Sequence, residues 1–232
     1  MKIYKTSEYN EKLKIRPINI SNMSNVYIPK DKDELYETIR MLVEKNGPNA
    51  DLNCICTSNI TDMSFLFYDK NFNGKIDKWG TSNVRSMKAM FKGDVSFNQD
   101  ISKWDVSNVE DMSSMFANTD FNKNISGWDT KNVKHMWQMF AYAKKFDQDI
   151  SNWDVSNVIS MDCMFFHAEK FNQDISKWNV AKVVNMYRMF GSAKSFDQNI
   201  SNWDVRSIAN CEDIFENCPL LRKPKKRPKF KN

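Results

Sequence analysis

Phe97-Asn98-Gln99-Asp100-Ile101-Ser102-Lys103-Trp104-Asp105-Val106-Ser107-Asn108-Val109, followed by Met112-Ser113-Ser114-Met115-Phe116, is the clearest copy of a phrase that the chain rewrites along most of its length. Its tryptophan recurs at Trp79, Trp104, Trp128, Trp153, Trp178 and Trp203, at intervals of 25, 24, 25, 25 and 25 residues. A fixed period in that range marks stacked units, none of which can bury its apolar face alone. Six of the seven tryptophans therefore belong to the architecture.

The other apolar columns keep the same step. One reads Leu52, Ile76, Ile101, Ile125, Ile150, Ile175 and Ile200, and another pairs Met87 with Met90, Met112 with Met115, Met136 with Met139, Met161 with Met164 and Met186 with Met189. The columns fray at the ends: Ile55 stands in place of Trp and Leu66 in place of the second Met, while Cys211 and Ile214 replace both Met residues of the last unit. Atypical terminal units are what a stacked array requires, because each end has only one neighbour. The single step of 24 falls in the link between Phe116 and Phe121, which is one residue shorter than its equivalents and so reads as a loop.

The phrase Phe-Asn-Gln-Asp-Ile-Ser-x-Trp-Asp-Val-Ser-Asn-Val-x-x-Met-x-x-Met-Phe resembles the repeat of the BspA-like leucine-rich-repeat proteins, over about residues 52 to 216. That repeat is long catalogued as a domain of unknown function, abundant in mycoplasma lipoproteins and in surface proteins of gut and oral bacteria. The resemblance implies an α/β repeat solenoid: a curved, right-handed, leucine-rich-repeat-like coil with short parallel strands and short helical turns. It also implies binding to proteins or host surfaces, with no catalytic residues. On that fold, strands are expected within Phe97–Ser102 and its equivalents, paired in parallel.

Four segments follow: an extended leader over 1–28, an N-terminal capping helix within 29–50, the repeat array with its C-terminal cap over 51–221, and a basic tail over 222–232. The helix is expected at about 32 to 46, between an acidic cap region at Asp31 and Asp33 and the stop Gly47-Pro48. The leader, with Leu13, Ile15, Pro17, Ile18 and Ile20, shows no period. The tail carries seven of the chain's 34 basic residues and no acid, so the other segments together carry a net charge of −2 against +5 for the whole. No stretch approaches the roughly 18 apolar residues of a membrane helix. The opening Met1-Lys2-Ile3-Tyr4-Lys5-Thr6-Ser7 has no apolar signal core, which points to a cytoplasmic or virion-associated protein over a conventionally secreted one.

Chemistry is sparse. His135 and His167 lie beside no Ser, Cys or carboxylate in a nucleophile pattern, and no glycine-rich phosphate loop is present, so no enzyme and no cofactor are expected. Cys54-x-Cys56 lacks a second pair at zinc-binding spacing. The aspartates near each tryptophan read as turn caps, since six glycines in the whole chain are too few for calcium-binding repeats. The Asn59, Asn83, Asn108, Asn132 and Asn157 column reads as an inward amide ladder.

Departures from the repeat are where recognition is sought. Phe65, Trp137, Tyr142, Phe166 and Tyr187, with His167, are off-period and would line one edge of the array. They suit contacts with a partner, or packing between neighbouring loops. Polar positions of the Asn98, Gln99, Asp100 type would complete a surface for a protein or glycan. Lys223, Lys225, Lys226, Arg227 and Lys229 either engage an anionic partner such as nucleic acid or form a solvated end. The leading expectation is a monomeric recognition or scaffold module; the alternative is a component of a phage or cell assembly joined through its termini.

Overall fold

The computed structural model describes residues 2–5 and 25–230. Strands β1 (Lys2–Lys5) and β2 (Asn25–Ile28) pair antiparallel. Asp31 caps α1 (Lys32–Asn46) by accepting the Glu34 backbone N–H at 3.0 Å, with Asp33 and Glu34 on the positive end of its dipole. Gly47, at φ 81, ends α1 and returns its N–H to the Val43 carbonyl, a backbone that only glycine adopts without steric cost. Leu35, Ile39 and Leu42 share one core with Leu52, Phe67 and Phe72, so α1 covers the first open end of the array.

Beyond α1 the chain runs in stacked coils. Asp62, Ser86, Asp111, His135, Ser160, Asn185 and Asn210 form an unbroken run of single-residue parallel bridges, one per coil. Phe67, Phe91, Phe116, Phe140, Phe165, Phe190 and Phe215 stack ring on ring at 5.4 to 5.9 Å along the core. Each repeat tryptophan lies inside with its indole N–H donated to a carbonyl one coil upstream, from Trp79 to Leu52 through Trp203 to Ile175, at 3.0 to 3.3 Å. A buried indole needs such an acceptor, and the coil spacing supplies it.

No strand forms at Phe97–Ser102; parallel backbone bonds in that part of the repeat join Ala50 and Leu52 to Lys75 in the first coil, and elsewhere the coil-to-coil pairing lies around the Met-x-x-Met-Phe segment, where it is not extended. There, alternate N–H groups run along the stack, as from Met87, Ala89, Phe91 and Gly93 to Asp111, Ser113, Met115 and Ala117. The intervening ones close tight turns, as from Met90 to Met87 and from Lys92 to Ala89. This alternation needs left-handed backbone at two places in each coil, at Phe65, Ala89, Ser114, Gln138, Cys163, Arg188 and Asp213, and four residues later in each case. A strand cannot persist through such residues.

Two polar ladders differ from the expected one. The amides of Asn83, Asn108, Asn132 and Asn157 do bind carbonyls of the coil before, but the first three residues are exposed, so the column lies on the rim. The half-buried ladder is instead Asn73, Asn98, Asn122, Asp147, Asn172 and Asp197. Each side-chain oxygen accepts the next residue's backbone N–H at 2.9 to 3.1 Å. Gln99, Gln148, Gln173 and Gln198 brace it by donating to the same oxygens.

The ends also depart from expectation. Residues 25–28 belong to the array, since Val26 is buried and Tyr27 exchanges backbone hydrogen bonds with Cys54 and Cys56 at 2.9 and 2.8 Å. Leu13, Ile15, Pro17, Ile18 and Ile20 lie outside the described residues. The basic segment is no loose tail: the short helical turns Pro219–Arg222 and Pro224–Lys226 fold back over the last coil. Lys226 binds Asp197 at 3.0 Å and accepts the Ile200 N–H, and Phe230 packs near Phe215. The last coil would otherwise end with an open ring and an open carboxylate.

Candidate functional site

The outward positions of the Met-x-x-Met-Phe segments form one continuous face, and it is here that the off-period aromatics come together. Tyr142 and His167 hold equivalent places in adjacent coils, both with left-handed backbone at φ 59 and 55, and their rings stack at 4.9 Å and 6°. Phe166 stands edge-on to both, at 5.3 and 4.5 Å. Its ring lies over Gly191, where a Cβ would sit 2.8 Å from the ring, so the glycine makes room for it.

Arg188 completes the cluster. Its guanidinium lies 5.9 Å from the Phe166 ring centre and 5.2 Å from that of Tyr187. Asp213 and Glu216 fix it from the next coil at 2.9 and 3.5 Å, and hydrogen bonding to Asp213 raises its pKa further. Guanidinium groups over aromatic faces gain from the ring quadrupole without losing their outward donors.

Trp137 stands apart from this cluster, beneath the Lys88 ammonium at 5.3 Å. Phe65, 46 % exposed, sits far along the array beside Tyr68, with Lys32 over its ring. The predicted edge is thus a single cluster around Tyr142, Phe166, His167 and Tyr187, flanked by two lysine-capped aromatics. Asn98 and Gln99 are committed to the half-buried ladder. Asp100 accepts the Ser102 N–H at 2.9 Å, which holds its carboxyl below the usual range. Asp105, Asp149, Asp154 and Asp174 cap turns in the same way.

Of the basic residues, Lys223 and Lys226 are bound to Asp197, and the Arg227 guanidinium lies 5.8 Å from the Phe215 ring centre; Arg222, Lys225 and Lys229 are exposed. A groove of roughly 230 Å3 between α1 and the first coil, lined by Tyr36, Ile39, Val43, Leu66 and Phe72, is the seam left by the end cap.

Sequence reading missed Ile159 and Val184, which are 40 % and 46 % exposed at one edge of the same face. The signal was available: their column reads Thr61, Arg85, Glu110 and Lys134 before them, so two successive aliphatics are a departure. Arg188 was missed because an arginine beside a core methionine resembles ordinary surface charge.

The profile of the family described as Mycoplasma protein of unknown function, DUF285, matches residues 37–134 and again residues 117–226. No curated protein and no solved structure gives a match.

Proposed function

The chain belongs to DUF285, a family of unknown function, and from that premise we propose that it is a non-enzymatic recognition module, a leucine-rich-repeat-like, right-handed solenoid of the BspA-like type that binds a protein or glycan. The observation that carries this reading is the Tyr142, Phe166, His167, Tyr187 and Arg188 cluster. These side chains are not demanded by stacking, since the same positions in other coils hold residues as different as Asp69, Gly93, Ala117, Ser113, Lys88 and Glu216, yet they gather on one face. Tyrosine and arginine packed side by side at the centre of a surface supply rigid contact area with little entropy to lose. The commitment of Lys223, Lys226 and Arg227 to the last coil leaves little support for nucleic-acid binding through the basic segment.

The test is a screen of the wild type against a displayed random-peptide library and a glycan array, beside a Tyr142→Ala/Tyr187→Ala variant of unchanged melting temperature. Ligands lost by the variant support the reading. Ligands retained at full strength would overturn it, and so would a monomeric wild type that binds none from either source.

A further inference from the structure

The same face is polarised. In its second coil Lys88 and Lys92 lie over Trp137 and Tyr68, with no carboxylate partner among the described residues. In its last coil stand Glu212, Asp213 and Glu216, of which Arg188 neutralises one charge. The excess is therefore two positive charges at one end and two negative charges at the other. Between them the third to sixth coils carry the aromatics and the exposed Ile159 and Val184.

We propose that this face is a two-fold interface between two antiparallel copies of the chain, a proposal that rests on the recognition reading above and names its partner. An isologous interface requires a patch complementary to itself under a two-fold rotation. An axis between the fourth and fifth coils places the second coil of one copy against the last coil of the other, so each lysine end meets an acidic end, twice. It sets the Tyr142 coil against the Phe166 and His167 coil, aromatic on aromatic, with Asp162 of the latter coil engaged by the Ser160 hydroxyl. It also sets the third coil, roofed by the Trp137 ring that reaches back to Lys88, against the sixth, where Tyr187 and Arg188 project. The charged ends and the aromatic centre each find their complement under that one operation. A parallel arrangement would place like charges together at both ends, which disfavours it.

The test uses the full chain and two charge-reversed forms, Lys88→Glu/Lys92→Glu and Glu212→Lys/Glu216→Lys, followed by sedimentation velocity and light scattering over a wide concentration range. Wild type is expected to double in mass reversibly as concentration rises. Each reversed form alone presents like charges at both ends and should dimerise at least about tenfold more weakly, with unchanged melting. An equimolar mixture of the two restores both pairings and should form a mixed dimer, which a structural defect in either variant could not produce.

A wild type that stays monomeric throughout overturns the proposal, and so does a dimer that both reversed forms retain or a mixture that fails to pair. The recognition reading is judged separately: a monomer whose peptide or glycan ligands depend on Tyr142 and Tyr187 would keep that reading while removing this one.

Discussion

The indole N–H of Trp153 donates to the Ile125 carbonyl at 3.1 Å, joining a side chain of one coil to the backbone of the coil before it. Both groups are buried, so neither has water as an alternative partner. Trp153→Phe keeps an aromatic ring but leaves the Ile125 carbonyl with only the Trp128 N–H, and should cost about 0.5 to 1.5 kcal/mol. Trp153→Ala adds a cavity and should cost about 3 to 5 kcal/mol. Denaturant unfolding monitored by circular dichroism separates the two; a Trp153→Phe variant as stable as wild type would mean that the hydrogen bond contributes nothing.

Gln138 occupies left-handed backbone at φ 55 in the middle of the array, with its N–H donated to the Asp162 carbonyl. Glycine there relieves steric strain but loses chain entropy, so Gln138→Gly should fall within about 1 kcal/mol of wild type. Gln138→Val places a β-branched side chain in the same backbone and should cost at least about 1 to 2 kcal/mol. Denaturation midpoints report the difference, and a valine variant as stable as the glycine one would contradict the coil geometry described.

What the sequence revealed and what it hid have a common cause. The tryptophan, isoleucine and methionine columns were legible because burial selects residue type at a fixed step, and α1 was legible because Asp31 and Gly47 are local signals. The alternating backbone was not, since its left-handed positions hold Phe65, Ala89, Gln138 and Arg188, none of which announces such a conformation. The rim asparagines were misread as inward because a periodic amide looks the same whether it binds backbone at the surface or inside. Asn98 and Gln99 were misread the other way, as free polar surface, because their partner Asn73 lies a full coil away. Tyr142 and His167, one repeat step apart, are neighbours by the period alone; that Phe166 stands edge-on to both and that Arg188 closes over it depend on the alternating backbone, which the period does not reveal.

Asp94 is fully buried, and burial pushes its carboxyl up to about 6, although the Phe72, Ser96 and Phe97 N–H groups favour the charged form. In the unfolded chain it should titrate near the usual value of about 3.9. Below that pH both states are protonated and the group is neutral to stability. As pH rises from about 4 to 6 the unfolded state ionises first, so this residue lowers folding stability by an amount on the order of 2 to 3 kcal/mol, then stays level above pH 6. Asp94→Asn cannot ionise and should lack that slope. Unfolding free energies of the two proteins, measured from pH 4 to 8, should diverge below 6 in favour of wild type; parallel curves would show that Asp94 titrates normally in the fold.

Asp197 ends the half-buried ladder, and the bonds it accepts from Lys223 and Lys226 hold its carboxyl below the usual range. The folded pKa is depressed, so this contribution is complete above the unfolded pKa near 4 and fades as pH falls through the folded value. More of the segment's worth is cover: Phe230 packs against the main core, the Arg227 guanidinium lies near the Phe215 ring, and the Lys226 carbonyl takes the Ile200 N–H. Removing residues 223–232 should therefore loosen the last coil without unfolding the middle ones, because each coil is stabilised mainly by its neighbours. Amide exchange should accelerate at least about tenfold between Phe190 and Leu220 while Phe116 to Phe140 stay protected. Lys223→Gln/Lys226→Gln, which keeps the cover but removes the charges, should reproduce only a small part of that effect, since half-exposed ion pairs are worth about 0 to 1 kcal/mol. Unchanged exchange after the deletion would return the segment to the role of a free basic tail.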